Sequence, residues 1–201
     1  MTNQSIACDA PDSTPQDRSD KGLVRSQLLT LRQRIPIEDR KRFDATLGDN
    51  ITKWATILLE TNVDLVLGVY WPIRDEPDVR AAYAELVARG VRLALPVVVA
   101  KDAALQFVLW TPGDVMIKDS FGVGIPAHGE AVSPHALLIP CVGFNPQRIR
   151  MGYGGGFYDR TLATTPRPAT VGVAYSCGLA QFEGAVHDIA LDRIFTETGT
   201  L

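Results

Sequence analysis

The residues from Arg150 to Arg160 combine several groups that can do chemistry on a phosphorylated ligand. Four glycines fall within five positions, at Gly152 and at Gly154 to Gly156. Glycine adopts positive φ angles and lets the backbone approach a ligand closely. Successive exposed N–H groups in such a turn form a concave nest for anionic oxygens. With Arg150 before the glycines and aromatic, acidic and basic residues after them, the segment offers phosphate donors, stacking faces and a carboxylate for a hard cation.

Two familiar glycine loops do not match this segment. The dinucleotide pattern G-x-G-x-x-G fails because Phe157 stands where the third glycine is required. The chain contains no Gly-Lys pair, so a Walker-type phosphate loop is excluded as well. A glycine-rich surface turn is the simpler alternative. The crowding of Arg150, Tyr158 and Asp159 into one loop disfavours it, because binding groups concentrate on loops.

Length, charge and cysteine content limit the class of protein. A chain of 201 residues is expected to form one domain with a sizeable core. The net charge is −3 and no long basic run exists, so nucleic acid is not an expected partner. Cys8, Cys141 and Cys177 are few, odd in number and without metal-ligand spacing, which favours the reducing cytoplasm. No apolar run approaches the ~18 residues of a membrane helix, and the N-terminus lacks a secretion signal, so no membrane partner is expected.

Apolar periodicity predicts alternating helices and strands. Residues 1–18 are polar and proline-containing and are predicted to be a disordered tail, followed by a single α/β domain over 19–201. Helices are predicted at about 21–34, capped by Ser19, and at 37–60, 78–89 and from about Phe157. Strands are predicted at 65–70, 91–99, 105–110, 136–141 and 170–175. This alternation predicts a mainly parallel sheet with helices on both faces.

The carboxyl ends of the predicted strands bring distant residues together. Ligands of such sheets bind beyond the carboxyl ends of the strands. The segments after Tyr70, Cys141 and Tyr175 should therefore share one edge of the sheet. They carry Glu76, the glycine loop and the pair His187-Asp188. We therefore predict one site built from all three segments.

The stretch 139–145, Ile-Pro-Cys-Val-Gly-Phe-Asn, followed by 150–160, Arg-Met-Gly-Tyr-Gly-Gly-Gly-Phe-Tyr-Asp-Arg, closely resembles the 5-formyltetrahydrofolate cyclo-ligase family, the methenyltetrahydrofolate synthetases. Other pieces resemble the family in its order, over about residues 20–198. They are Lys21 with Arg25, Tyr70-Trp71-Pro72 with Glu76, Leu95-Pro96-Val97-Val98, Trp110, Gly124-Ile125-Pro126, His187-Asp188 and Leu191-Asp192.

The resemblance implies a fold and a reaction. The implied fold is a three-layer α/β sandwich of the NagB/RpiA/CoA-transferase type, expected as a monomer. The implied reaction converts 5-formyltetrahydrofolate to 5,10-methenyltetrahydrofolate with ATP as co-substrate and Mg²⁺ as cofactor, releasing ADP and phosphate. The implied partners are thus a reduced folate and ATP.

The resemblance also implies roles for single residues. Catalysis is assigned to Arg150, Tyr158 and Asp159, and magnesium binding to Asp159 and Asp188. Folate binding is assigned to Trp71, Glu76, Tyr153 and Phe157. Nucleotide binding is assigned to a larger set of residues in the first predicted helix and the glycine loop. These are Lys21, Arg25, Arg150, Gly152, Tyr153, Gly154, Gly155, Gly156, Phe157 and Tyr158.

Several residues depart from the family pattern and leave alternatives open. Asn145 stands where the family usually has an aspartate. Ala127, Gly178 and Ala185 stand where the family usually has an acidic residue or a glutamine. A folate- or nucleotide-binding paralogue without turnover, or with an altered substrate, is therefore a second hypothesis. A hydrolase is a third, because the sequence around Ser176 imitates a nucleophile elbow, although its candidate partners His187 and Asp188 are adjacent and no separate acidic residue is evident to orient the histidine.

Overall fold

The computed structural model describes residues 15–201, with side chains from residue 21 onward. Its helices are α1 (Pro15–Gln33), α2 (Ile37–Thr61), α3 (Arg80–Ala88) and α4 (Phe157–Leu162). The predicted tail falls mostly outside the described residues. Residues 15–18 already belong to α1, so the prediction that Ser19 caps this helix is wrong. Helices α2 and α3 begin and end within two residues of their predicted bounds, and α4 begins at the predicted residue.

The strands form one large sheet and two small hairpins. The hairpins are β4 (Met116–Lys118) with β5 (Gly124–Pro126), and β8 (Gly143–Phe144) with β9 (Arg150–Met151). A short 3-10 turn covers Ser176–Gly178. The large sheet contains β1 (Val66–Gly68), β2 (Arg92–Val97), β3 (Gln106–Trp110), β6 (Ala131–Val132), β7 (Ala136–Pro140), β10 (Ala169–Val173), β11 (Arg193–Thr196) and β12 (Gly199–Thr200).

The order of the large sheet is β12-β11-β10-β7-β1-β2-β3-β6. The five strands from β11 to β2 are parallel, and β12, β3 and β6 add antiparallel pairs at the two edges. The chain passes from β1 to β2 on one side and later places β7, β10 and β11 on the other. The order therefore reverses between β1 and β7, and a parallel sheet opens a crevice at such a point.

Helices cover both faces of the sheet, as predicted. One core packs α2 and α3 against the sheet, through residues such as Ile51 and Tyr83, neither of which is exposed. The second core lies on the opposite face, where Leu162 of the short helix α4 packs with Ile139 and Ile194. The strands are apolar on both faces because both faces are covered.

Helix α1 lies near the carboxyl end of the parallel strands. Its residue Leu28 packs with Val142 and Met151, next to the ends of β7 and β9. Leu31, three residues further along α1, is 44% exposed. Within residues 15–201, no helix combines the length and apolar character needed to cross a membrane.

Candidate active site

A cleft of about 780 Å³ opens over the crevice between β1 and β7. Its walls come from α1, the segment after β1, the tip of the β4–β5 hairpin, the glycine loop and the segment near Asp188. Glu76, the glycine loop and Asp188 therefore converge as predicted, whereas His187, the other member of the predicted pair, is not among the residues that line the cleft. Every residue that the family resemblance assigns to catalysis or binding lines this cleft. They are Lys21, Arg25, Trp71, Glu76, Arg150, Gly152, Tyr153, Gly154, Gly155, Gly156, Phe157, Tyr158, Asp159 and Asp188.

The glycine loop joins β9 to α4 through two left-handed residues. Gly154 has φ 92° and Gly156 has φ 65°, and L side chains rarely adopt such angles. Helix α1 ties this loop down, because Arg25 Nε donates to the Gly152 carbonyl oxygen at 2.7 Å. The Arg25 guanidinium thus lies beside the loop, 3.8 Å from the position that a Cβ atom on residue 154 would occupy.

Arg150 and Asp159 form an ion pair across the glycine loop. Arg150 Nη2 lies 2.9 Å from Asp159 Oδ1, and only 5% of the Arg150 side chain is exposed. The same guanidinium lies 5.7 Å from the centre of the Tyr158 ring. The neighbouring Arg160 is engaged elsewhere, since it donates to the carbonyl oxygens of Lys101, Ala103 and Gly155.

Lys21 and Asp188 form a second ion pair at the edge of the cleft. Lys21 Nζ lies 3.2 Å from Asp188 Oδ2. The backbone N–H of Ala185 donates to the same oxygen at 2.7 Å. This bond needs no side chain on Ala185, so the absence of an acidic residue there does not prevent Asp188 from being held at the cleft.

The carboxylates fit magnesium only as partial ligands. The described residues contain no cluster of three or more His, Cys, Asp or Glu side chains. Among those same residues, the hydrogen bonds and ion pairs engage only Oδ1 of Asp159 and only Oδ2 of Asp188. One oxygen of each carboxylate is left over. That donor set suits Mg²⁺, which binds through one or two carboxylates together with substrate phosphates and water.

A buried polar network occupies the other end of the cleft. Glu76 is 4% exposed, and its carboxylate accepts from the Ile73 N–H at 2.9 Å and from the Tyr153 hydroxyl at 3.1 Å. Burial raises the pKa of Glu76 to about 7, although the Ile73 N–H and the nearby Arg32 and Tyr153 act in the opposite direction. Burial likewise raises the pKa of Tyr153 to about 12. Glu76 is therefore poised to change its protonation near neutral pH.

The aromatic residues of the cleft are partly engaged with each other. Trp71 packs edge-on against Trp110 at 6.0 Å, and Phe157 packs against Phe121 at 6.2 Å. Phe121 belongs to the tip of the β4–β5 hairpin and is 61% exposed. Burial raises the pKa of Tyr158 well above its usual value, so its hydroxyl stays protonated.

Sequence reasoning missed Arg32, Arg74 and the hairpin tip at Phe121. Arg32 is 3% exposed and donates to Tyr153, while the Arg74 guanidinium lies 4.9 Å from the centre of the Tyr153 ring. A signal for Arg32 existed. It follows Arg25 by seven residues on the helix face that also carries the buried Leu28, and seven residues are close to two helical turns.

Asn145, which departs from the family pattern, has a structural role. Its side-chain oxygen accepts from the N–H groups of Gln147 and Ile149, at 3.1 and 2.9 Å. Its amide nitrogen donates to the carbonyl oxygen of Phe182 at 3.0 Å. Because Phe182 lines the cleft, Asn145 fixes a wall of the cleft from behind. An amide both accepts and donates, whereas the ionised aspartate of the family pattern only accepts.

The nucleophile elbow of the hydrolase hypothesis is not formed. The Ser176 hydroxyl bonds to the carboxylate of Glu197, and the Ser176 N–H donates to the same group at 2.9 Å. Asp188 pairs with Lys21, and His187 is exposed. The three residues of the hypothesis therefore have other environments.

Comparison with known proteins settles the family. Residues 17–197 match the sequence profile of the 5-formyltetrahydrofolate cyclo-ligase family. The chain belongs to this family. The cyclo-ligase of Mycolicibacterium smegmatis is 31% identical over 142 residues, which cover 63% of this chain and 71% of the relative. That of Mycoplasma pneumoniae is 25% identical over 183 residues, covering 89% of this chain and 99% of the relative.

Solved structures of cyclo-ligases share the fold. A 5,10-methenyltetrahydrofolate synthetase from Aquifex aeolicus superposes with a TM-score of 0.75 at 26% identity, over 90% of this chain and 91% of the other. The synthetase from Mycoplasma pneumoniae superposes with a TM-score of 0.71 at 24% identity, over 89% and 99%. The predicted fold class and the predicted ligase class are therefore confirmed.

Proposed function

We propose that this cyclo-ligase converts 5-formyltetrahydrofolate to 5,10-methenyltetrahydrofolate at the cleft between β1 and β7, with ATP and Mg²⁺. One observation carries the proposal. Tyr153 belongs to the glycine loop, yet its hydroxyl donates to Glu76 at the opposite end of the cleft. A phosphate-binding loop and a buried pterin-binding carboxylate thus meet in one cavity.

The chemistry requires activation of a poor leaving group. The formyl oxygen on N5 attacks the γ-phosphorus of ATP, the bond to the bridging oxygen of ADP breaks, and an iminium phosphate results. N10 then attacks the formyl carbon, loses its proton, and expels inorganic phosphate as the ring closes. Phosphoryl transfer asks the protein mainly for positioning and for stabilisation of charge.

The glycine loop and its cations supply that stabilisation. The backbone N–H groups between Gly152 and Gly156 cradle the phosphates. Lys21, Arg25 and Arg150 offset their negative charge, Arg150 through a planar fork that suits phosphate oxygens. The remaining oxygens of Asp159 and Asp188 would hold Mg²⁺, which would neutralise phosphate charge when bound.

The folate end of the cleft selects the second substrate. The Glu76 carboxylate accepts hydrogen bonds from ring N–H donors of the pterin, as a carboxylate has about four acceptor positions. Trp71 and Phe157 offer apolar ring faces beside it, and Tyr153 closes the wall. Because one chain contributes every wall of the described cleft, the reaction needs no second copy, in keeping with a monomer.

The reducing cytoplasm is the proposed compartment. The described cysteines, Cys141 and Cys177, are free thiols. Cys141 is buried directly behind the cleft, where its backbone carbonyl accepts a hydrogen bond from Arg32. Such thiols persist where glutathione and thioredoxin keep cysteines reduced.

The test is a rise in near-ultraviolet absorbance from the methenyl product. Protein is mixed with 5-formyltetrahydrofolate, Mg²⁺ and ATP, and ATP or Mg²⁺ is omitted as a control. An ATP-dependent rise that Arg150→Ala abolishes is the expected result. Retained ATP binding without product would instead favour the paralogue with an altered folate half.

A further inference from the structure

Arg32 is a buried cation that joins three segments behind the cleft. It lies on α1 and is 3% exposed. Its Nη2 donates to the Cys141 carbonyl oxygen at 2.6 Å, and its Nη1 donates to the Tyr153 hydroxyl at 3.1 Å and to the Arg74 carbonyl oxygen at 3.5 Å. One guanidinium thereby connects the end of β7, the glycine loop and the segment after β1.

The hydrogen bond from Arg32 determines the direction of the Tyr153 hydroxyl. A guanidinium has only donors, so the Tyr153 oxygen must accept from it. The hydroxyl has a single proton, which is then directed to Glu76 Oε1. Glu76 Oε2 accepts from the Ile73 N–H. Both carboxylate oxygens of Glu76 are therefore held as acceptors, with lone pairs left for a ligand.

The electrostatics favour the same state. Among the described residues, none of the ion pairs includes Arg32, so its compensating anion is Glu76, reached across the Tyr153 hydroxyl. A buried charge without such compensation is strongly unfavourable. Arg32 therefore stabilises Glu76 as the ionised carboxylate, and Glu76 stabilises the buried guanidinium.

Other groups around Glu76 do not orient the hydroxyl. The Arg74 guanidinium lies over the ring of Tyr153, at 4.9 Å from its centre. The tyrosines nearby are neutral donors with pKa values raised by burial. The charged and titratable groups that face Glu76 come from several elements. They are Arg32 from α1, Tyr70 and Arg74 from its own segment after β1, Tyr153 from the glycine loop, Tyr83 from α3, Tyr158 from α4 and Cys141 from the segment after β7.

We propose that Arg32 is a positioning residue for folate recognition, which acts through the Tyr153 hydroxyl to keep Glu76 as an acceptor for the N–H donors of the pterin ring. This inference rests on the proposed function of the cleft. Arg32 belongs to the helix whose Lys21 and Arg25 serve the nucleotide, so one face of α1 supports both halves of the reaction.

The test compares Arg32→Met, Arg32→Lys, Tyr153→Phe and the double variant Arg32→Met with Tyr153→Phe. Arg32→Met should raise KM for 5-formyltetrahydrofolate roughly 10- to 100-fold, since a hydrogen bond within a charged network is lost. KM for ATP should stay near the wild-type value. The double variant should match Tyr153→Phe alone, because Arg32 acts through that hydroxyl. Arg34→Met, on an exposed neighbour, is the matched control.

The pH profile distinguishes positioning from a merely structural role. Loss of the Arg32 charge should move the acidic limb of kcat/KM for the folate to higher pH. Arg32→Lys keeps the charge but cannot hold both Cys141 and Tyr153, so it should leave that limb in place while raising the folate KM.

Defined results would overturn the inference. They are additive effects of Arg32→Met and Tyr153→Phe, or an ATP KM that rises as much as the folate KM. If Arg32→Met does not fold, Arg32→Lys decides, and an unchanged folate KM in that variant would contradict the positioning role. Inactive wild-type protein would count against the proposed function instead.

Discussion

Replacing Glu76 by Gln should remove a loss of stability that the folded protein undergoes between acidic and alkaline pH, and should weaken folate binding. Glu76 is 4% exposed, and burial raises its pKa from 4.5 to about 7. Above that pH the folded state holds a buried carboxylate that solvent would stabilise better. Glutamine has no charge to bury, but its single oxygen can accept from only one of the two donors, the Ile73 N–H or the Tyr153 hydroxyl.

The magnitude follows from linkage. The folded-state pKa of Glu76 is above the value of an exposed glutamate, so the folded protein binds this proton more tightly than the unfolded chain. The carboxyl costs nothing below pH 4.5, and its cost grows between pH 4.5 and about 7 and is constant above. Each pH unit in that window is worth about 1.4 kcal/mol, so the full cost is about 3 kcal/mol.

Urea unfolding of wild type and Glu76→Gln, at about pH 5 and about pH 8, measures this cost. The variant should gain about 2 to 3 kcal/mol relative to wild type between the two pH values. Glu60→Gln, an exposed glutamate on α2, is the control and should show no such gain. Parallel stability profiles for wild type and Glu76→Gln would refute the reasoning. At pH 8, calorimetric titration should show weaker folate binding by the variant, since an amide donor replaces an acceptor.

Three further perturbations test other parts of the site. Asp159→Asn should lower kcat roughly 100-fold with ATP binding retained; product absorbance against magnesium concentration measures it, and near-normal turnover would remove Asp159 from the mechanism. Gly154→Ala forces a side chain into φ 92° and should weaken ATP binding but not folate binding, as calorimetry of each ligand would show. Asn145→Asp loses the donor to Phe182 and should destabilise the fold by about 1–3 kcal/mol; unchanged urea midpoints would contradict that role.

Much of the fold could be predicted because its central strands are long apolar runs. The runs at 65–70, 91–99 and 136–141 all became strands of the buried sheet, which carries apolar residues on both faces. The hairpins β4–β5 and β8–β9 were not predicted. Their strands have two or three residues, and such lengths carry no periodicity to detect.

The site was predictable where its signal is local in sequence. The glycine loop is one contiguous segment, so its composition and its likeness to the family identify it. Ion pairs such as Lys21 with Asp188 join residues 167 positions apart, and no spacing rule connects them. Arg32 shares a helix face with Arg25 and Leu28, which hints at a role in the cleft, but the packing of α1 against the strand ends is what shows that its charge is buried.

The paired state of the cations suggests how the nucleotide and the metal enter together. In the protein alone, Lys21 is neutralised by Asp188, and Arg150 is neutralised by Asp159. Phosphates bound without a cation must draw Lys21 and Arg150 away from these carboxylates. The two acids are then left unpaired near the glycine loop, which is unfavourable because only 25% of each acid side chain is exposed. In the proposed complex the exchange is balanced, since the phosphates receive the two basic groups and Mg²⁺ receives the two carboxylates. Under the proposed function, the preformed ion pairs would make ATP and Mg²⁺ mutually dependent ligands, with neither favoured alone.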